Sequence, residues 1–243
     1  MSNPKFSIIH PSRGRPEMCF ATVQNWINKA YNPKNIEYLI CLDRNDSEAK
    51  RYGIIDRGAD VKAIINTEEN PWYVEKVNEA AKLATGDILI INTDTFDCEQ
   101  DWDKKILDFI GGKTDWLLKT NDGIENWICT LPIMDRAFYE NQGYVYFPEY
   151  QHMYSDTDLT SYADYAGKRL VNMDLLFDHK HYSVGKMAKD ATNMRSDSTY
   201  QQGEALYIKR FKENFGVKEL RGTITSPSHI AWLAQRGLTV PEL

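Results

Sequence analysis

The chain has 243 residues and a mass of 28.1 kDa, enough for a sizeable core, and we expect one large α/β domain and not two small ones. Hydrophobic residues make up 42% and charged residues 26% of it, and it contains no signal peptide, no 18-residue apolar span and no low-complexity tract, which indicates a cytoplasmic protein without membrane insertion. The net charge of -6 argues against general nucleic-acid binding.

Strands and helices alternate along the first hundred residues. Strands are predicted at residues 6–10, 38–42, 61–65 and 88–91 from their apolar patterns. The first helix begins near Pro16, and the second has its cap at Asn70, Pro71 in its first turn and Gly86 just beyond its end. This order predicts an α/β sandwich built from right-handed crossovers.

The following hundred residues add further strands and helices. The pattern predicts a short helix after Asp101, strands at 116–118 and 127–133, helices from Asp135 and over 155–166, a strand at 170–177 and a long last helix at 197–215. Ser155 and Asp158 have the spacing of a capping box, which places Asp156 at the first helical position.

The cysteines and the charge distribution limit the kinds of site that the chain can form. Cys19, Cys41, Cys98 and Cys129 form no CxxC pair, so we expect reduced, buried thiols and neither a zinc site nor disulfides. Residues 168–221 hold 11 Lys and Arg against 7 Asp and Glu. This basic segment is compatible with a phosphate-rich partner, although a solvated helix face with mixed charges has the same composition.

Four polar clusters follow predicted strands, at residues 11–15, 43–46, 92–97 and 178–181. In a parallel sheet the first three meet at one edge, because every strand delivers its carboxyl end to the same side. Two arginines, several carboxylates and imidazoles suit a diphosphate that is held through a divalent cation. The sequence therefore predicts a diphosphate site at this edge.

The same motifs carry a family resemblance. They are Pro11-Ser12-Arg13-Gly14-Arg15-Pro16, Leu42-Asp43, Val77-Asn78-Glu79-Ala80-Ala81 leading into residues 86–94, Trp102-Asp103, and then residues 154–159 and 177–181. In this order the chain resembles a glycosyltransferase of the GT-A fold, particularly the family-2-like group that uses nucleotide-diphosphate sugars. The resemblance covers most of residues 5–200 and implies an α/β sandwich whose mixed, mainly parallel sheet is flanked by helices.

The resemblance also implies where the donor binds. It gives residues 1–100 the nucleotide-sugar half, residues 101–215 the acceptor and catalytic half, and residues 216–243 a tail packed on the domain. Asp43 would contact the nucleoside and the loop of Arg13 and Arg15 would border the donor pocket; the full set of donor-binding candidates is Pro11, Arg13, Arg15, Asp43, Asn78, Asn92 and Thr93. The alternative for Asp43 is a turn with Asn45 and Asp46.

Asn92-Thr93-Asp94 stands at the family's DxD position, where acids hold Mn²⁺ or Mg²⁺. Asn92 replaces the first acid, so Asp94 becomes the main acidic ligand and the metal site is weakened, since hard cations prefer carboxylate oxygens. His179 or His181 matches the family's late metal-binding histidine, with His179 preferred, although a histidine after a strand is often structural. The expected cofactor is thus a divalent cation.

Asp156 aligns with the family's general base, which takes a proton from the acceptor hydroxyl in an inverting transfer. The alternative role is an acid that stabilises the helix dipole, and Asp158 suits that role better as part of the cap. The aromatic loop at 144–154 could stack on an acceptor ring or pack beneath the loop.

The acceptor and the oligomeric state stay open at this stage. A glycan is one acceptor, and a hydroxylated base in DNA is another, because some resembling proteins encoded by bacterial viruses modify such bases in the host cytoplasm. Two other classes remain. A sugar-phosphate nucleotidyltransferase needs a glycine-rich loop after the first strand, where only Gly14 occurs, and a non-catalytic sugar-nucleotide or glycan-binding module is compatible with Asn92.

Overall fold

The computed structural model describes residues 5–52, 59–65 and 71–242. Its strands are β1 (Phe6–Ser12), β2 (Ile36–Leu42), β3 (Asp60–Ile65), β4 (Ile88–Ile91), β5 (Phe96–Cys98), β6 (Leu117–Asn121), β7 (Ile133–Asp135) and β8 (Arg169–His179). Its helices are α1 (Pro16–Asn28), α2 (Tyr73–Leu83), α3 (Trp102–Ile110), α4 (Arg136–Gln142), α5 (Ser155–Tyr165), α6 (Ala191–Asp197), α7 (Tyr200–Lys212) and α8 (Pro227–Ala234). Within these ranges no helix is long and apolar enough to cross a membrane.

The described strands form one mixed sheet in the order β3-β2-β1-β4-β7-β6-β8-β5. The neighbours β3, β2, β1 and β4 run parallel, whereas β7 pairs antiparallel with both β4 and β6. Parallel β1 and β4 therefore deliver their carboxyl ends to the same edge, as the sequence predicts.

Helices cover both faces of this sheet. Alternation along β1 sends Ile8 into a cluster with α1 and α3, and sends Ile9 into a second cluster with α2, α4, α5 and α7. The second cluster also holds Ile224, Leu233 and Leu238 from the chain after α7. A sheet buried on both faces explains why β4 is a continuous apolar run.

Gly86 is required where α2 turns into β4. Its amide donates to Ser7 Oγ at 2.7 Å, and a Cβ built on it would lie 2.6 Å from Ser7 N and 2.8 Å from Lys5 O. A larger side chain would therefore push β4 away from β1, and with it the polar loop that follows β4.

The structure corrects three predictions about helices and strands. Residues 127–132 form a buried loop and only the end of this segment enters β7, because Trp127 donates its indole N–H to Asp164 and Cys129 N donates to Thr160 Oγ1. The predicted helix at 197–215 is broken between α6 and α7 at Thr199, whose hydroxyl donates to Ser196 O. In both segments the apolar spacing correctly indicated buried side chains but did not indicate whether the backbone was a strand, a helix or a loop.

The predicted capping box of α5 is also wrong. Tyr154, in the left-handed region at φ 70°, precedes the helix, and Ser155 Oγ donates to His152 O. Asp158 is instead bound by Arg210, and Asp156 becomes the second residue of α5. Helix α8 was not predicted, although Ser226 caps it and Pro227 stands in its first turn. The predicted cap at Asn70 lies outside the described residues.

Candidate active site

A small cavity of about 80 Å³ lies at the carboxyl ends of β1 and β4. Its walls come from the loop after β1, the start of α2, the loop after β4 and helix α6; they include Pro11, Ser12, Arg13, Arg15, Trp72, Lys76, Thr93, Asp94, His152, Thr192 and Arg195. Four of its side chains, those of Arg13, Arg15, Lys76 and Arg195, are cationic at neutral pH, which suits an anion. The predicted convergence of strand ends therefore occurs in the fold.

Asp43 lies behind this cavity and holds two of its cations. The carboxylate is fully buried, pairs with the guanidinium of Arg13 and has Lys76 Nζ at 2.9 Å from Oδ1. Arg13 also donates to Asn45 Oδ1 at 2.8 Å. Asp43 does not belong to the wall of this cavity, and its carboxylate holds Arg13 and Lys76 in position.

A buried hydrogen-bond chain joins Asn92 to Asp94. Asn92 Nδ2 donates to Tyr38 Oη at 3.0 Å, and Tyr38 Oη is hydrogen-bonded to His10 Nδ1, 2.8 Å away. His10 Nε2 donates to the carboxylate oxygen Oδ1 of Asp94 at 2.9 Å. Thr93 N donates to Asn92 Oδ1 at 2.9 Å, which fixes the orientation of the amide. Asn92 therefore orients Asp94 from behind and does not line the cavity.

Arg15 connects the small cavity to a larger one. Its Nε and Nη2 each donate to Asp190 at 2.7 Å, and its Nη1 lies 3.8 Å from Asp94 Oδ2. Burial opposes ionisation of Asp190, but the hydrogen bonds from Arg15 and from Asn193 N lower the pKa of this carboxyl. The pair ties the loop before α6 to the loop after β1.

The larger cavity has a volume of about 530 Å³ and is continuous in its lining with the small one through Arg15, Thr93 and His152. Its remaining walls include Thr95, Phe96, Ile124, Glu125, Ile128, Tyr154, Asp156, His179, His181, Tyr200, His229 and Trp232. A volume of this size accommodates a sugar and part of a second ligand.

Asp156 is the carboxylate that the start of α5 presents to the larger cavity. Its Oδ1 accepts the N–H of Thr157 at 2.8 Å, and burial raises its pKa, with Asp122 adding to the rise. The raised pKa brings the carboxyl closer to the range of a general base near neutrality.

Glu125 is a second cavity carboxylate, and the sequence analysis did not identify it. Burial raises its pKa, and the neighbouring charges of Asp122 and Asp156 raise it further. Asp122 is itself buried and accepts the N–H groups of Ile124 and Glu125, which holds the loop against the cavity.

Four of the five histidines line the larger cavity, and the fifth is His10. Burial lowers the pKa of His152 to about 3, and Lys76 lowers it further. Burial and the neighbouring His181 lower the pKa of His179 to about 4. These imidazoles are therefore neutral at pH 7. The composition gives only the number of histidines, so the sequence did not show that four of them meet at one cavity.

The donor atoms beside Asp94 suit a divalent cation only in part. Asp94 Oδ2 takes part in no hydrogen bond among the described residues, and the neutral ring of His179 stacks on Phe96 at 4.1 Å with its nitrogens available. Asp94, His179 and His181 are not gathered into one cluster of ligand atoms within residues 5–52, 59–65 and 71–242. These residues fit a cation chemically, without forming a closed site.

Another group, His10, Cys19 and Asp94, does bring its ligand atoms within 4.8 Å of one another. Both nitrogens of His10 are already hydrogen-bonded, and burial raises the pKa of the Cys19 thiol well above its usual range. A protonated thiol and an occupied imidazole are poor ligands. This cluster is therefore part of the support for Asp94.

The structure separates the predicted site residues into two groups. The cavity walls contain Pro11, Arg13, Arg15, Thr93, Asp94, Asp156, His179 and His181. Asp43, Asn78 and Asn92 are absent from those walls. Asn78 instead donates to Tyr146 O and accepts the N–H groups of Val145 and Tyr146, so it anchors the aromatic loop. Val145, Tyr146 and Tyr150 of that loop are buried.

The fold of this chain has counterparts among solved structures. No family model and no curated protein matches the chain. The mannosyltransferase PcManGT from Pyrobaculum calidifontis, in complex with GDP-Man and Mn²⁺, aligns with a TM-score of 0.62 at 11% identity, over 98% of this chain and 80% of that one. The chain has a GT-A-like fold. This confirms the predicted mixed, mainly parallel sandwich.

A second solved protein supports the same fold. Residues 1–349 of S. aureus TarS align with a TM-score of 0.58 at 15% identity, over 96% of this chain and 79% of that one. TarS in complex with UDP-GlcNAc gives 0.60 at 14% identity, over 95% and 79%. The GT-A-like fold therefore extends over nearly the whole chain.

Proposed function

We propose that this protein is an inverting glycosyltransferase that moves a sugar from a nucleoside-diphosphate donor to an acceptor hydroxyl. The observation that carries the proposal is a cationic pocket at the ends of β1 and β4 that opens, past Thr93 and His152, into a larger cavity with Asp156 on its wall. A diphosphate and a base thus have separate places in one continuous site.

The proposed reaction is a single displacement. Asp156 accepts the proton of the acceptor hydroxyl as its oxygen forms a bond to the anomeric carbon. The bond from that carbon to the diphosphate oxygen breaks at the same time, and its electron pair leaves with the nucleoside diphosphate. Attack from the face opposite the leaving group inverts the anomeric centre.

On the donor side, Arg13, Arg15 and Lys76 are proposed to bind the diphosphate. Arg13 and Lys76 are held in place by Asp43, so their charges are organised before the ligand arrives. Arg15 faces both cavities and can stabilise the negative charge that grows on the leaving group.

We further propose that Asp94, with His179 or His181, holds a divalent cation, Mn²⁺ or Mg²⁺. Asp94 Oδ2 and the neutral imidazole of His179 are the donor atoms that support this. When bound, the cation would offset the charge of the diphosphate. The mannosyltransferase PcManGT was solved with Mn²⁺.

In the proposal, three parts of the chain contribute to donor binding and to catalysis. Residues 1–100 supply most of the donor pocket, residues 101–215 supply Asp156 and most of the larger cavity, and residues 216–243 close that cavity through α8. The walls formed by Arg13, Asp156 and Trp232 support the division.

The proposal predicts binding of a nucleoside diphosphate that depends on Arg15. Calorimetric titration with UDP and GDP, with and without Mn²⁺, is expected to show binding of at least one of them. Arg15→Ala is expected to weaken it by about tenfold to a hundredfold, since hydrogen bonds to charged groups contribute about 1.5–3 kcal/mol.

Arg44→Ala is the matched control, because Arg44 is exposed on the loop after β2 and is absent from both cavity walls. Its affinity should stay within about twofold of the parent protein. Arg15→Lys keeps the charge and tests whether the fork geometry matters. Equal affinities in Arg15→Ala and Arg44→Ala, or no nucleotide binding at all, would contradict the proposal.

A further inference from the structure

The larger cavity has an aromatic wall that neither Asp156 nor the diphosphate pocket uses. We define this wall as Tyr154, Tyr200, His229 and Trp232, all of which line the cavity. His229 stacks on Trp232 with ring centroids 5.3 Å apart and planes 11° apart. Tyr154 lies 5.8 Å from Trp232 and donates its hydroxyl to Tyr200 at 2.8 Å.

The histidine of the aromatic wall is neutral and has a defined tautomer. Ser161 Oγ donates to Thr157 O at 2.8 Å, so it accepts the proton of the Tyr207 hydroxyl, 2.7 Å away. Tyr207 in turn accepts from His229 Nε2 at 2.7 Å. Burial, with Arg236 nearby, lowers the pKa of His229 to about 4. The aromatic wall therefore carries no charge at pH 7.

The charged groups around the rest of the larger cavity are mostly acidic. Glu125 and Asp156 present carboxylates to it, and Glu125 has no hydrogen-bond or ion-pair partner for its side chain within the described part of the chain. Arg15 is the cation of this lining, and Asp190 already holds it with two hydrogen bonds of 2.7 Å. An anionic acceptor would meet two carboxylates there.

The basic segment 168–221 does not offer a free cationic surface beside the cavity. Most of its cations form ion pairs with acids: Lys168 with Asp115, Arg169 with Asp164, Lys180 with Asp97, Lys186 with Asp178, Lys189 with Asp197, Lys209 with Glu149, Arg210 with Asp158 and Arg221 with Glu219. The excess charge of this segment therefore balances acids elsewhere, and a phosphate backbone has little to bind.

We propose that the aromatic wall and Glu125 form the acceptor subsite, and that it takes an uncharged sugar ring with free hydroxyls. The inference rests on the proposed function, because it assigns the acceptor of that same transfer. One apolar C–H face of a pyranose packs on Trp232 and Tyr154, while hydroxyls on the ring edge donate to Glu125 and reach Asp156. Nucleic acid, with one phosphate per residue, does not match this lining.

The test uses methyl glycosides as probes. Saturation-transfer NMR on the full chain, with the nucleoside diphosphate that binds most tightly already present, would compare methyl glucoside, galactoside, mannoside and N-acetylglucosaminide with their 6-phosphates. At least one neutral glycoside should bind better than its phosphate. Trp232→Ala and Glu125→Gln should each weaken that glycoside by about tenfold.

Glu125→Gln supplies a readout that general loosening of the fold would not produce. Removing its charge should lower the preference for the neutral glycoside over its 6-phosphate, because repulsion of the phosphate is relieved. Ile230→Ala is the matched control for Trp232→Ala, since Ile230 is exposed on α8 and absent from the cavity wall. Trp232→Phe keeps a ring and should retain binding within about threefold.

The outcomes separate this inference from the proposed function. If the parent protein binds no nucleotide, the proposed function and the acceptor assignment are both overturned. Normal nucleotide binding, together with a preference for the 6-phosphates or for a single-stranded oligonucleotide, would overturn the acceptor assignment alone. So would neutral glycosides that bind equally to the parent, Trp232→Ala and Glu125→Gln proteins.

Discussion

Among single residues, Asp156 is expected to lower the stability of the folded protein. In the proposed reaction Asp156 must be ionised to accept a proton, yet burial raises its pKa. A folded-state pKa above the unfolded value means that the folded protein is stabilised by the proton below the ordinary Asp pKa of about 3.9, and loses that stability as pH rises through the raised value. Ionised Asp156 therefore lowers the stability of the fold at neutral pH, a cost that the proposed catalytic role would explain.

Asp156→Asn is expected to separate these two effects. Donor turnover should fall by about two to four orders of magnitude, while the thermal unfolding temperature at pH 7 should rise above that of the parent and the difference should shrink toward pH 4. Turnover and unfolding would be measured on the same preparation. Asp174→Asn, at an exposed position of β8, is the control and should change neither. An active or destabilised Asp156→Asn protein would refute the assignment.

At the scale of elements, α5 and α7 are joined by a buried ion pair. Arg210 Nε donates to Asp158 Oδ2 at 3.1 Å, and its Nη2 donates to Phe215 O at 2.9 Å. Tyr150 Oη donates to the same carboxylate oxygen at 3.1 Å. The pair fixes α5, and hence Asp156, against α7, which begins with Tyr200 of the aromatic wall.

Arg210→Met is expected to destabilise the fold by about 3–5 kcal/mol, because it leaves Asp158 charged and buried without its partner. Urea unfolding would measure the change. Arg221→Met removes an exposed pair with Glu219 and should leave the unfolding free energy nearly unchanged. Asp158→Asn combined with Arg210→Met should recover part of the loss. Equal effects of the two arginine variants would contradict a structural role for the buried pair.

For the whole molecule, partly buried histidines that stay neutral link folding to pH. Burial holds the pKa of His152 at about 3 and the pKa values of His179 and His229 at about 4. The unfolded chain protonates these groups near pH 6.5. The stability that they contribute is therefore complete above about pH 6.5 and is lost as pH falls toward the folded-state values.

His152→Asn should flatten this dependence. Between pH 6 and pH 4, one fewer proton taken up on unfolding should reduce the slope of unfolding free energy by up to about 1.4 kcal/mol per pH unit. Chemical denaturation at pH 7, 6, 5 and 4 would give both slopes. Since all other titrating groups are shared, parallel curves for parent and variant would show that His152 is not held neutral by the fold.

The local pattern was sufficient for the elements that lead into the site. Apolar runs ending in polar residues located β1, β2 and β4, and Pro16 marked the start of α1. The parallel order of these strands then predicted that Arg13 and Asp94 reach one edge. Such features depend on backbone geometry over a few residues, which the sequence expresses directly.

What each polar side chain does was decided by tertiary structure. Asp43 and Asn92 lie behind the cavity because each is bound by a side chain from another segment, Lys76 and Tyr38 respectively. Arg15 pairs with Asp190, which is 175 residues away in the sequence. The aromatic wall depends on α8, and the Ser226-Pro227 pair that starts this helix does not show where the helix packs. By itself the sequence determined the α/β order and the edge where charges gather; the packing of distant segments decided which of those charges face the cavity, because burial and pairing are properties of neighbours in space.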